Sequence, residues 1–117
     1  MWNIHQAYID GAFVPVQGSE RLEIVSPATG QPIGTVTLAN RDDAKRAIEA
    51  ASRAQPVLAT GTKAQRIDML RRLEAAVLAR TEQICEATIE EYGGPLARSR
   101  WVSNYASQCF ADTARML

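Results

Sequence analysis

A chain of 117 residues, 46% hydrophobic and 22% charged, has the size and composition of one ordinary globular domain. Thirteen Lys and Arg balance thirteen Asp and Glu, so the formal net charge is zero and there is no electrostatic footprint for nucleic acid or an anionic membrane. The N-terminus lacks the basic and apolar regions of a signal peptide, no apolar run approaches the roughly 18 residues of a transmembrane helix, and two cysteines suggest reduced thiols in a cytoplasmic setting.

Residues 7–38 read as strands and turns. Asp10-Gly11, set between Tyr8-Ile9 and Phe13-Val14, is a type I′ hairpin signal, because Gly tolerates the positive φ that such a turn demands. Pro15 and Gly18-Ser19 end the second strand. Leu22–Val25 alternates briefly, Pro27 to Gly30 is a turn, and 33–38 is another β-prone stretch. Residues 40–117 read as helices. Asn40 is a good N-cap, with Asp42 and Asp43 set against the positive end of the dipole. Ala44, Ala47, Ile48, Ala51 and Ala54 form an apolar stripe, narrow enough for close approach to a neighbour, and Pro56 is expected to end the helix.

Thr62 to Gln65 fits a capping box, followed by Ile67, Leu70, Leu73 and Val77 at helical spacing. A break is expected near Arg80-Thr81, with Thr81 capping a second piece whose Ile84, Cys85, Thr88 and Tyr92 face inward. Gly93-Gly94 reads as a C-cap and Pro95 as the first position of the next helix. That helix carries Trp101, Val102, Tyr105, Ala106, Cys109, Phe110 and Thr113 on its expected inner face and runs unbroken to Leu117.

The candidates for chemistry each have a plainer reading. Cys85 and Cys109 lie at apolar helical positions with no neighbouring base, and read as buried core thiols. Their spacing, with one distant histidine, is no metal-ligand pattern. His5 reads as a surface residue on a mobile N-terminus. Asp42-Asp43 compensate a helix dipole, Glu90-Glu91 belong to a solvated face, and Gly93-Gly94-Pro95 does not follow a strand as a phosphate loop would. Trp101 and Tyr105, one turn apart, suit core packing better than a ligand channel. No catalytic, cofactor-binding or metal residue emerges.

The order of motifs says more than any one of them. Tyr8-Ile9-Asp10-Gly11 is followed by Pro27-Ala28-Thr29-Gly30 and Ile33-Gly34-Thr35-Val36. Then come the Ala-spaced helix, Ala64-Gln65-Arg66 leading to Leu70-Arg71-Arg72-Leu73, and Glu91-Tyr92-Gly93-Gly94-Pro95-Leu96. This series resembles the N-terminal quarter of the NAD(P)-dependent aldehyde dehydrogenase superfamily over nearly the whole chain. Gly94 stands where the family usually has Lys, and Val57-Leu58-Ala59 where it usually has a Trp.

The resemblance implies an α/β family fold whose present segment, residues 1–117, is the N-terminal part of a cofactor-binding domain, mainly helical with an N-terminal hairpin region. It implies that the catalytic domain is absent and that the catalytic Cys, the general-base Glu and the oxyanion Asn lie downstream. NAD or NADP would serve the complete enzyme, with none bound by this segment. Val102 and Ala106 would line the aldehyde tunnel. A homo-oligomer is expected, with no nucleic-acid or membrane partner. The other readings are a stand-alone helical interaction module and part of an acyl-CoA-forming semialdehyde dehydrogenase.

Overall fold

The computed structural model describes all residues, Met1–Leu117, and divides into two compact units, Met1–Thr60 and Gly61–Leu117. In the first unit the strands are β1 (Trp2–Ile4), β2 (Gln6–Ile9), β3 (Ala12–Pro15), β4 (Arg21–Val25) and β5 (Pro32–Thr37), followed by helix α1 (Arg41–Ala59). The second unit holds α2 (Lys63–Leu78), α3 (Thr81–Tyr92) and α4 (Leu96–Met116). No helix is long and apolar enough to cross a membrane.

Strands β2 and β3 form the expected hairpin, with Ile9 opposite Ala12 and only Asp10-Gly11 between them. Both turn residues have positive φ, 56° and 82°, as a type I′ turn requires. Tyr8 pairs with Phe13 across the strands, their rings edge to face with centroids 5.2 Å apart. A second sheet has the order β1-β5-β4. Its outer strand β1 corrects the expectation of a mobile N-terminus. Trp2, Asn3 and Ile4 pair in parallel with Gly34, Thr35 and Val36, a long-range pairing with no local sequence signal. Gly34 makes the pairing possible, because a Cβ there would lie 2.7 Å from the Trp2 carbonyl oxygen.

Helix α1 starts as read, with a full capping box. The Asn40 side chain accepts the Asp42 and Asp43 N–H groups, and Asp43 Oδ2 accepts the Asn40 N–H at 3.0 Å. Its end differs from expectation, because Pro56 lies inside the helix rather than beyond it. Proline's fixed φ is itself helical, so one further turn forms, closed by Thr60, whose N–H and Oγ1 both bond the Pro56 carbonyl.

In the second unit Thr62 and Gln65 form the reciprocal capping box. The chain breaks after Leu78 and resumes at Thr81, but Arg80 occupies the cap. Thr81 Oγ1 instead donates back to the Val77 carbonyl at 3.5 Å. Gly93 (φ 71°) closes α3 in the left-handed conformation, its N–H bonding the Ile89 carbonyl. Pro95 is the N-cap of α4, one position earlier than read.

Helix α4 packs against both α2 and α3, with a face the sequence reading did not choose. Ser99, Ser103, Ser107 and Ala114 are its buried residues. The serines satisfy themselves locally: Ser103 Oγ donates to the Ser99 carbonyl at 3.0 Å and Ser107 Oγ to the Asn104 carbonyl at 2.7 Å. Small, self-satisfied side chains permit close helix contact. Gly94 permits the tight entry into α4, since a Cβ there would come within 2.8 Å of Ser99 Oγ.

Candidate functional site

Val102 and Ala106 lie one turn apart on an open flank of α4, Val102 being 39% exposed. Cys109 continues their line and is exposed, contrary to the core position read for it. Trp101 and Tyr105 are also corrected. Each is 56% exposed, and their rings stack on one another at 5.1 Å with planes 10° apart. At about 100° per residue they project from the side of α4 opposite the buried serines. The apolar periodicity of α4 was therefore legible, but it marked an open face and not the packed one. Tyr92, expected inward on α3, is exposed as well.

Cys85 is buried as expected, at 1% exposure, with its thiol directed at the Leu96 carbonyl 4.0 Å away. A thiol bonded to a backbone carbonyl, with no base beside it, is a packing group and no activated nucleophile. Arg100 ties α4 to α3 through Glu82 at 3.0 Å, and this carboxylate raises the Arg100 guanidinium above its ordinary value. His5 is exposed on the short link between β1 and β2.

In the first unit a groove of about 320 Å³ runs between the hairpin turn and α1, walled by Tyr8, Ile9, Ala47, Ala50, Ala51 and Ala54. The alanine stripe thus lines an opening. The acid at its rim, Asp10, is paired with Arg53 at 3.0 Å. Neither this groove nor the α4 flank gathers the nucleophile, base and oxyanion donors that acyl chemistry needs, and no three His, Cys, Asp or Glu side chains cluster as metal ligands.

One carboxylate is strongly held. Asp43 is 1% exposed, and Oδ2 accepts the Gln17 N–H at 2.8 Å besides that of Asn40. The Asn40 N–H, helped by Gln17 and by Arg46, holds its pKa below the usual carboxylate value against the opposing effect of burial. This brace fixes the loop after β3 to the start of α1, a structural role that the sequence showed only in part as a first-turn acid.

A family model described as the aldehyde dehydrogenase family matches residues 13–117. Glutarate-semialdehyde dehydrogenase of Pseudomonas aeruginosa is 33% identical over 115 residues, which are 96% of this chain and 24% of that protein. Among solved structures, an NAD-dependent benzaldehyde dehydrogenase from Corynebacterium glutamicum superposes with a TM-score of 0.89 at 22% identity, covering 96% of this chain and 24% of that one. An NADP-dependent glyceraldehyde-3-phosphate dehydrogenase from Bacillus halodurans, complexed with NADP, gives 0.88 at 23% identity, covering 98% and 24%. These two likenesses concern the fold. The chain spans about a quarter of the length of the curated relatives it matches.

Proposed function

The chain belongs to the aldehyde dehydrogenase family, and from that premise we propose that it is the N-terminal portion of a cytoplasmic enzyme that oxidises an aldehyde to a carboxylate with NAD or NADP. The observation that carries this reading is the unbroken family match over residues 13–117. The complete reaction takes an aldehyde, water and the oxidised dinucleotide to a carboxylate, the reduced dinucleotide and two protons. It needs a thiolate nucleophile, a base for water and a hydride acceptor held beside them.

This segment's share is scaffold. Its residues 7–38 and 40–117 form the first part of the cofactor-binding domain, and Val102 and Ala106 contribute wall to the aldehyde channel. We infer no dinucleotide contact at the starts of α1 and α2. The N-termini of α1 and α2 are filled by the Asn40–Asp43 and Thr62–Gln65 capping boxes, and a carboxylate at the first would repel a phosphate. The Gly93-Gly94 break follows a helix and not a strand. We further propose that the segment associates with copies of itself, since its only buried hydrophobic residues are Ala50, Cys85 and Ala114, too small a core for self-sufficiency.

Two measurements test the reading. The purified 117-residue chain, incubated with NAD or NADP and an aldehyde panel that includes glutarate semialdehyde, is expected to form no reduced dinucleotide. Turnover above a buffer blank would overturn the scaffold role. Reading the gene beyond codon 117 is expected to reveal a downstream frame with a cysteine-nucleophile motif. An immediate stop would favour the stand-alone helical module instead.

A further inference from the structure

We propose that Asp10, at the tip of the β2–β3 hairpin, is a modification site at which the chain forms isoaspartate, and that the ion pair with Arg53 of α1 guards it. The reaction is intramolecular.

Asp10 is the only one of the five aspartates that is followed by glycine. The Gly11 backbone nitrogen attacks Asp10 Cγ. A C–N bond forms, the bond from Cγ to the carboxyl hydroxyl breaks, and that hydroxyl leaves with the amide proton as water, giving a cyclic imide. Water then adds to either carbonyl of the ring. Addition at Cγ restores aspartate. Addition at the main-chain carbonyl frees the α-carboxylate and leaves the chain running through Cβ and Cγ. A side chain on the following residue would crowd the attacking nitrogen. Gly11 has none, and a Cβ built there meets nothing within 4 Å. The Asp10 side chain is 68% exposed, so water reaches the imide. Asp42, Asp43, Asp68 and Asp112 all precede residues with side chains and lie within helices, whose hydrogen bonds hold the backbone.

The fold withholds the reaction. Ring closure needs the Gly11 nitrogen and Asp10 Cβ eclipsed about the bond between Cα and the carbonyl carbon. Asp10 (φ 56°) and Gly11 (φ 82°) form a type I′ turn, which sets the Asp10 ψ at roughly 30° and so holds that nitrogen nearly opposite Cβ. Arg53 Nη2 donates to Asp10 Oδ2 at 3.0 Å and ties the carboxylate to α1. The turn must open and this bond must break before the ring can close. Opening is within reach, because β2 and β3 form a sheet of only two strands with four residues each, and such a hairpin is marginal by itself. The product has one more main-chain atom than a two-residue turn accommodates, so the Ile9–Ala12 pairing and the Arg53 bond are lost together. The same turn walls the groove beside α1, which the modification therefore reshapes.

The test ages the full chain in mildly acidic buffer at body temperature, with and without urea, and follows isoaspartate by tandem mass spectrometry of proteolytic peptides. In the folded chain isoaspartate is expected at residue 10 alone, forming at least about tenfold more slowly than in urea because it waits on local opening. Arg53→Gln is expected to raise the folded-state rate roughly two- to fivefold, the factor that an exposed ion pair is worth. Its helical circular dichroism and its rate in urea should be unchanged. Asp10→Glu, whose ring would need six members, is expected to give no isomerised residue 10. Absence of isoaspartate at residue 10 in urea would overturn the site. A folded-state rate equal to that in urea would show that the turn withholds nothing, and an Arg53→Gln chain that ages no faster than the unmodified one would remove Arg53 as the guard.

Discussion

Asp43 accepts the backbone N–H of Gln17, 26 residues earlier in the chain, at 2.8 Å from the first turn of α1. One carboxylate oxygen thereby joins the loop after β3 to the cap of the helix, because the same Oδ2 also takes the Asn40 N–H. Local capping and a long-range contact are thus a single interaction. Asn40→Ala removes the side-chain oxygen that accepts the Asp42 and Asp43 N–H groups, leaves both bonds to Asp43 Oδ2 in place, and is expected to cost about 1 kcal/mol, as for other N-caps. Asp43→Asn weakens both of those bonds and is expected to cost more. The pH dependence has a definite sign. The folded carboxyl titrates below its ordinary value of 3.8, so the unfolded chain takes up the proton first. Stability from this group is complete above about pH 4 and is lost as the pH falls further. Urea midpoints measured from pH 7 down to pH 3 should fall on the acid side for the unmodified chain and stay flatter for Asp43→Asn. Parallel curves would refute the brace.

Two glycines test different physics in the same unit. At Gly18 a Cβ would lie 1.9 Å from the Leu38 carbonyl oxygen and 3.2 Å from the Asn40 nitrogen, both backbone atoms that cannot swing aside. At Gly30 a Cβ meets nothing within 4 Å, and the only cost is the positive φ of 70°. Gly18→Ala should therefore destabilise by about 3 kcal/mol or more, as severe overpacking does. Gly30→Ala should lose about 1–2 kcal/mol, the cost of a left-handed Ala. Urea unfolding of the two variants checks the order, and Gly18→Ala at or above the stability of Gly30→Ala would contradict the close approach.

Local signals in the sequence fared better than tertiary ones. The Asp10-Gly11 turn, the Asn40 N-cap, the Thr62–Gln65 capping box and the Gly93 stop were legible because each is decided by a few neighbouring residues. Strand β1 was not, because its partner β5 lies about thirty positions away and Trp2-Asn3-Ile4 has no alternation long enough to read. Helix α4 misled for a different reason. Hydrophobic periodicity marks the face that burial would reward, and Trp101, Tyr105 and Cys109 mark it well. Contact with α2 and α3 is made instead by serines, whose small size and bonds to their own helix carry no hydrophobic signal. The family was readable from the order of its motifs. Asp43 showed its dipole role, while its bond to Gln17 could emerge only from the fold.

The two thiols provide the last prediction, and here the structure revises the sequence. Cys85 is 1% exposed beneath α4, with its thiol directed at the Leu96 carbonyl, whereas Cys109 stands open on the aromatic stripe. Alkylation needs a reagent to reach the sulfur, so Cys109 should label within the dead time of a dilute native sample. Cys85 should label only as fast as the helices open. Substitution should divide the pair in the same way. Cys85→Ser buries a hydroxyl in place of a thiol and should cost about 1–3 kcal/mol. Cys109→Ser on an open face should change stability by less than about 0.5 kcal/mol. Mass spectrometry after a short pulse of iodoacetamide, followed by denaturation and a second isotopic label, reads both rates in one sample. Equal native rates at the two thiols would show that the second unit opens as a whole, and that burial beneath α4 gives Cys85 no protection.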